Sequence, residues 1–200
     1  MKALVISDIH GSGYYGEKIK EINEKEKPDK IILLGDLYYH GPRNDLSQEY
    51  NPMKVAQTLN SLKDKLLVVR GNCDAEVDET ISEFKFQDHI LMEINGKKFY
   101  FTHGHKYNIE KIPYDDFDIM IYGHIHQGFI QEKEGYIFAN PGSISLPKCN
   151  TEHSYIILED NKITVDEIDY ISKKLETKVN ELEEITQIAS STIGTRSEER

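Results

Sequence analysis

Asp8, His10, Asp36, Asn72, His103, His124 and His126 are the residues of this 200-residue chain whose types and spacing could do chemistry together. They stand in Asp8-x-His10, Gly35-Asp36, Gly71-Asn72-Cys73-Asp74, His103-Gly104-His105 and Gly123-His124-Ile125-His126. Carboxylate, amide and imidazole donors without thiolate suit hard to borderline divalent ions such as Mn, Fe, Mg, Co or Zn better than a structural zinc site. Seven donors exceed the needs of one ion. Shared between two ions with one carboxylate bridging, they form a centre of about 3.5–4 Å separation that can clamp a phosphoryl group and a hydroxide. Singly the motifs are weak, because Asp-x-His recurs by chance and a lone histidine at a strand end is usually a surface or satisfied residue. Their joint placement carries the reading.

Each of these residues follows a run that reads as a buried strand. Residues 3–6, 31–34 and 66–69 are continuous apolar runs, separated by a charged helical stretch over 17–27 with Ile19 and Ile22 on one face, and by a second helix after Asn51-Pro52 carrying Val55, Ala56, Leu59 and Leu62. Strands buried on both faces and alternating with helices imply a parallel sheet with right-handed crossovers. From residue 84 the pattern changes to hairpins: 89–94 and 97–102 flank Asn95-Gly96, 129–131 and 136–138 flank Glu134-Gly135, and 155–158 and 162–165 flank Asp160-Asn161. Residues 119–122 form another buried strand. The whole reads as an α/β protein of two sheets with helices outside. In such sheets ligands bind at the carboxyl ends of strands, which is where five separate strands deliver the seven donors. After residue 170, Ile171, Leu175, Val179, Leu182, Ile185 and Ile188 predict a C-terminal amphipathic helix, either packed on the sheet or available for homo-oligomer formation, followed by a disordered tail over 190–200. Residues 1–170 are the expected domain and 171–200 the extension.

With 24 Lys and Arg against 35 Asp and Glu the formal charge is −11, which argues against a broad nucleic-acid-binding face or an anionic membrane surface as partner. Two divalent ions would outweigh the charges of Asp8 and Asp36, so a small anionic substrate stays compatible with an acidic chain. The apolar runs are strand-sized, far below the roughly 20 residues that span a bilayer, and the N-terminus reaches Asp8 too soon for a secretory signal. Two cysteines, Cys73 and Cys149, give no disulfide framework, so a cytoplasmic location is expected.

In order and spacing, the five motifs resemble the calcineurin-like metallophosphoesterase superfamily. The Tyr39-His40-Gly41-Pro42-Arg43-Asn44 segment, the Val69-Arg70-Gly71-Asn72-Cys73-Asp74 segment and the Asn140-Pro141-Gly142-Ser143 turn are similar to its YfcE-type branch of small bacterial phosphodiesterases, over about the first 170 residues. The resemblance implies a four-layer α/β/β/α sandwich and two divalent ions, usually Mn2+, with Fe, Mg, Co, Ni or Zn as alternatives. Carried over by motif, Asp8, His10, Asp36 and His126 hold the first ion, and Asp36, Asn72, His103 and His124 the second, with Asp36 as the bridge. It implies hydrolysis of a small phosphodiester by in-line attack of a metal-bridging hydroxide, with Asp36, Asn72, Cys73 and His103 the candidate catalytic residues. Much of the superfamily has His where Cys73 stands; a neutral thiol is a poor substitute for an imidazolium acid, so substrates with acidic leaving groups are expected. His40, Arg43 and Asn44 are candidates for contacting the phosphate or its substituent. Arg70 is expected in an ion pair and His105 behind a ligand.

Other readings compete. Gly11-Ser12-Gly13-Tyr14-Tyr15-Gly16 matches a dinucleotide-binding fingerprint, with Asp36 20 residues beyond Gly16, but Asp8 would set a carboxylate beside the pyrophosphate and the histidines would go unused. A protein-binding scaffold on the same fold is disfavoured because all seven donors are intact. A phosphomonoesterase using the same dinuclear centre is the remaining alternative.

Overall fold

The runs too apolar to face water on either side form the centre of one sheet in the computed structural model, which describes residues 1–159 and 162–167. β1 (Ala3–Ile6), β2 (Lys30–Leu33) and β3 (Leu66–Val69) pair in parallel, with Ala3 opposite Lys30 and Ile31 opposite Leu66. β4 (Phe86–Gln87) adds in parallel beyond β3, and on the other side β10 (Ser154–Glu159) pairs antiparallel with β1 and neighbours β11 (Lys162–Glu167). The two-residue β4 has no sequence signal; it is too short for an alternation to register.

Two helices make the crossovers between the parallel strands. α1 (Gly13–Glu26) begins four residues before the charged stretch suggested, because Ser12 caps it, its hydroxyl accepting the Tyr15 N–H at 3.2 Å. It ends at Lys27, whose left-handed backbone (φ 49°) returns an N–H to the Asn23 carbonyl. α2 (Pro52–Ser61) starts as expected, with Asn51 capping Lys54 N–H at 3.0 Å and Pro52 in the first turn.

The second sheet is made by hairpins joined to a parallel pair. β5 (Ile90–Ile94) and β6 (Lys97–Thr102) turn at Asn95 (φ 50°) and Gly96 (φ 78°); β8 (Gly128–Lys133) and β9 (Tyr136–Pro141) turn at Glu134 (φ 55°) and Gly135 (φ 83°). Positive φ at both central residues is the turn geometry that matches strand twist. β7 (Ile119–Tyr122) lies parallel to both β6 and β9, giving the order β5-β6-β7-β9-β8.

Alternate residues from both sheets share one core: Ala3, Val5, Ile32, Val69, Ile156 and Leu158 from the first face Phe99, Phe101, Ile119, Ile121 and Ala139 from the second. The opposite face of the second sheet carries Tyr100, Met120, Tyr122 and Phe138, covered by Phe117, Tyr107, Ile109 and Ile112 from the irregular segment that follows β6. Met1–Asp166 forms one compact unit. The Asp160-Asn161 turn and the helix expected after residue 170 lie outside the described residues, and no described helix is long and apolar enough to cross a membrane.

Phe101 is fully buried between the sheets, whereas Tyr114 is fully exposed. Phe101→Ala is therefore expected to cost about 3–5 kcal/mol in urea denaturation, and Tyr114→Ala less than about 0.5 kcal/mol.

Candidate metal centre

All seven donors leave the carboxyl ends of strands and converge. β1 leads into Asp8 and His10, β2 into Asp36, β3 into Asn72, β6 into His103, and β7 into His124 and His126. Five of them adopt left-handed backbone: Asp8 (φ 57°), His10 (φ 47°), Asp36 (φ 55°), His124 (φ 68°) and His126 (φ 59°). That conformation costs an L-residue roughly 1–2 kcal/mol, so its concentration here points to side chains being aimed at a common point. Glycine permits the crowding behind them. A Cβ on Gly71 would lie 2.1 Å from Asp36 Oδ1, and one on Gly123 1.8 Å from Ser7 Oγ.

The first set of donors is acceptor against acceptor. His10 Nδ1 donates to the Tyr39 carbonyl at 2.8 Å and His126 Nδ1 to the Leu146 carbonyl at 2.7 Å, so in the neutral rings both Nε2 atoms carry lone pairs. These face each other at 3.1 Å. Asp8 Oδ1 lies 3.6 Å from the first and 3.3 Å from the second, is buried, and has no hydrogen-bond partner, while Asp8 Oδ2 accepts from Ser7 Oγ and the His124 N–H. Asp36 Oδ2 completes the set at 3.7 Å from His10 Nε2. Burial pushes the Asp8 carboxyl up, but His10 and His126, once protonated and donating to it, outweigh burial and hold the group well below the usual carboxylate range.

The second set repeats the pattern from the other side of Asp36. His103 Nδ1 donates to the Leu34 carbonyl at 2.7 Å, turning Nε2 toward Asn72 Oδ1 (3.0 Å), His124 Nδ1 (3.2 Å) and Asp36 Oδ1 (3.5 Å). Asn72 is turned oxygen-inward because its amide nitrogen donates to Cys73 Sγ at 3.2 Å. The two Asp36 oxygens thus face different donor sets. Donor atoms of Asp8, His10 and His126, and of Asp8, Asp36 and His103, lie within 4.8 Å of one another, a spacing that a divalent cation can draw together. Cys73 stands at the same place, its sulfur within 4.8 Å of donors of His10 and Asp36 and its backbone N–H donating to Asp36 Oδ1. Burial, then the charge of Asp36, pushes its thiol up to about 12, which keeps it neutral at pH 7.

Residues given no role by sequence reasoning hold these donors. Asp74 accepts three backbone N–H groups, from Asp36 (2.8 Å), Leu37 (2.8 Å) and Gly71 (2.7 Å), and so ties the end of β2 to the end of β3. Burial lifts its carboxyl to about 6, with the charge of Asp36 adding to the rise and the three N–H groups opposing it. Ser143 and Ser145 hydroxyls donate to the Asp8 carbonyl, Ser47 to that of His10, and the Asn140 amide to that of Gly123. For Asn140 and Ser143 their position in the Asn140-Pro141-Gly142-Ser143 turn was the available signal; Ser47, Ser145 and Asp74 had none, since side chains aimed at backbone groups leave no mark of their own.

A cavity of about 330 Å³ opens over the donors. Arg43 and Asn44 line it, together with Tyr39, Cys73 and Lys148, the last unassigned from sequence. His40 is not among its lining residues; its ring sits edge-on to Tyr39 and Tyr50, with Nδ1 buried and unpartnered. Arg70 pairs with Glu79, and the His105 ring lies 5.3 Å from that of His103. The glycine fingerprint of the first loop is otherwise occupied. Gly11 N–H donates to the Leu37 carbonyl, Gly13 to that of Glu49 and Gly16 to that of Ser12, which removes the amides a pyrophosphate would need.

The fit of this donor set to divalent ions has a direct thermal test. Adding Mn2+ to chelator-treated protein at about 100 times Kd is expected to raise Tm by about 5–10 °C. Gly71→Ala, which displaces the Asp36 carboxylate, is expected to abolish that shift; an undiminished shift would place the ion elsewhere.

Comparison with known proteins agrees with this geometry. Residues 1–162 match the model of the calcineurin-like phosphoesterase superfamily domain. The chain is 38% identical over 170 residues to phosphodiesterase YfcE of Escherichia coli K12, covering 82% of this chain and 91% of that protein. It is 28% identical over 190 residues to the probable metallophosphoesterase YsnB of Bacillus subtilis 168, covering 90% and 98%. The solved structure of the E. coli phosphoesterase YfcE superposes with a TM-score of 0.78 at 32% identity, over 84% of this chain and 100% of that one. In sequence and in fold, the chain belongs to the calcineurin-like phosphoesterase superfamily.

Proposed function

We propose that the protein is a cytoplasmic, metal-dependent phosphoric diester hydrolase acting on small phosphodiesters, with residues 1–170 as its catalytic domain. Asp8, His10, Asp36 and His126 hold one divalent ion and Asp36, Asn72, His103 and His124 a second, Mn2+ being the expected occupant. The observation that carries this is the pair of imidazole lone pairs of His10 and His126, 3.1 Å apart beside the partnerless Asp8 Oδ1. In the neutral rings such an arrangement is repulsive unless a proton or a metal cation lies between its atoms. Kinship with phosphodiesterase YfcE supports diesters as the substrate class.

Two divalent ions here supply Lewis-acid charge for a phosphoryl group and acidify water. The chain's own residues orient. Carbonyls of Tyr39, Leu146 and Leu34 fix the tautomers and planes of His10, His126 and His103, and Asp74 fixes the backbone from which Asp36 projects. Arg43 and Asn44 contact the substrate at the cavity rim, and His40 braces Tyr39 behind it. Cys73 lines the cavity over the donors, and if a leaving group departs past it, a neutral thiol is a weak acid for protonating it. Chemistry is then left to esters whose leaving groups depart without a proton.

Metal analysis of protein purified without chelator, followed by a phosphodiester panel with added Mn2+, tests the reading. Asp36→Asn is expected to lower kcat/KM by more than about 100-fold, beyond what losing an orienting partner alone costs; undiminished turnover would sink the shared role of Asp36. Across a series of aryl and alkyl diesters, log kcat is expected to fall steadily as leaving-group pKa rises. A flat dependence with chemistry rate-limiting would assign acid catalysis to some other group.

A further inference from the structure

Two cations reach the cavity from loops that begin at the carbonyls orienting the first donor set. The Tyr39 carbonyl takes the His10 Nδ1–H, and Arg43 follows four residues later; the Leu146 carbonyl takes the His126 Nδ1–H, and Lys148 follows two residues later. The root of Lys148 is held by its own N–H donating to the His126 carbonyl at 2.9 Å and by Thr151 Oγ1 donating to its carbonyl at 2.8 Å. The Arg43 loop is closed by the Asn44 amide, which donates to the His40 carbonyl at 2.8 Å. Although both side chains reach solvent, their starting points are fixed relative to His10 and His126.

Neither cation has an ion-pair or hydrogen-bond partner for its side chain among the described residues. Lys2, Lys20, Lys25, Lys54, Lys63 and Arg70 are each matched to a glutamate, whereas Lys27, Lys85 and Lys97 also lack a side-chain partner among the described residues; what sets Arg43 and Lys148 apart is that both line the cavity over the donors. Asp36 is the one carboxylate among the described residues lining the cavity, and it belongs to the donor sets. The centre itself accounts for one phosphoryl group. Two further unneutralised cations beside it are complementary to a second phosphate on the same molecule, which a guanidinium fork and an ammonium can share.

We propose that Lys148 and Arg43 form a second-phosphate subsite on the His10 and His126 side of the centre, so that the preferred substrates are phosphodiesters carrying a further phosphate group. The inference rests on the phosphodiesterase reading above and adds a selectivity to it. A singly charged diester is contacted by Arg43 and Asn44 and leaves Lys148 unused; a doubly phosphorylated one engages Lys148 and Arg43 together.

Two compounds isolate the effect: the p-nitrophenyl ester of thymidine 5′-phosphate, and the same ester bearing a 3′-phosphate. They share the scissile bond and leaving group, so the ratio of their kcat/KM values on the Mn2+-loaded full chain reports the second phosphate alone. Two exposed charge contacts of ordinary strength predict a preference of about tenfold for the 3′-phosphorylated ester, expressed in KM and lost near 0.5 M salt. Lys148→Ala is expected to reduce the preference to about threefold, Lys148→Glu to erase or invert it, and Lys148→Arg to keep it, with Mn2+ content equal in all three. Equal efficiencies on both esters in the wild type, or an undiminished preference in Lys148→Glu, would overturn the subsite while leaving the phosphodiesterase reading intact. No turnover of either ester would overturn both.

Discussion

His10 and His126 meet nitrogen to nitrogen beside a carboxylate oxygen, at the buried floor of the cavity and, in the neutral rings, with their protons committed to backbone carbonyls behind them. That repulsion is the interaction around which the end of the molecule is organised. It could be relieved by rotating a ring or swinging a carboxylate, and the surrounding structure prevents both. Each imidazole is anchored at its far nitrogen, Asp8 is pinned through its other oxygen by Ser7 and the His124 amide, and five of the seven donors sit on backbone that most residues avoid. A site held this firmly in an unfavourable arrangement is preorganised for a cation, because little reorganisation is left to oppose binding.

Preorganisation extends a layer further back. Asp74 spends both of its oxygens on backbone amides of Asp36, Leu37 and Gly71, and the serines of the 140s loop spend their hydroxyls on the Asp8 carbonyl. A buried carboxylate next to another is an expensive choice for a merely structural clamp. Its location explains it: β2 and β3 end side by side with Gly35 and Gly71 in contact, and a chelating acceptor between the two turns fixes where Asp36 projects. The strongly acidic composition reads differently in this setting. Surface acids repel long polyanions, while divalent ions at the centre, as proposed, would join the two rim cations in a local potential of opposite sign for small ones.

Much of this was legible in the residues. Continuous apolar runs at 3–6 and 66–69 became central parallel strands, and Asn95-Gly96 and Glu134-Gly135 became hairpin turns, because burial and positive φ leave direct marks on composition. Placing polar residues just after strands was enough to bring Asp8, His10, Asp36, Asn72, His103, His124 and His126 to one edge, whereas the proposed partition between two ions came from the motif resemblance. What stayed hidden follows from interactions that leave no compositional trace. Nothing in a carboxylate two residues past Asn72 distinguishes Asp74 as a backbone clamp, and nothing in the Leu146-Pro147-Lys148 stretch marks a lysine held against a histidine from a different strand. The glycine-rich stretch from Gly11 to Gly16 imitates a dinucleotide-binding fingerprint for the same reason. Its glycines permit close packing, with Gly11 against Tyr38 and Tyr50 and Gly13 against Glu49, and that need looks identical in sequence to room for a phosphate.

Neither donor set belongs to one sheet. Asp8, His10, Asp36 and Asn72 leave strands of the first, while His103, His124 and His126 leave strands of the second, and each set draws from both. The mouth of the sandwich is therefore a clasp. Sliding one sheet across the other by even a fraction of a strand spacing would pull both sets apart at once, so the soft shearing motion available to most packed sheets is the one this protein cannot use while it works. An ion held by donors from both sheets would couple occupancy of the centre to closure of the sandwich, and amides at the carboxyl ends of β1, β2 and β7 would then be expected to open together although they lie in separate sheets.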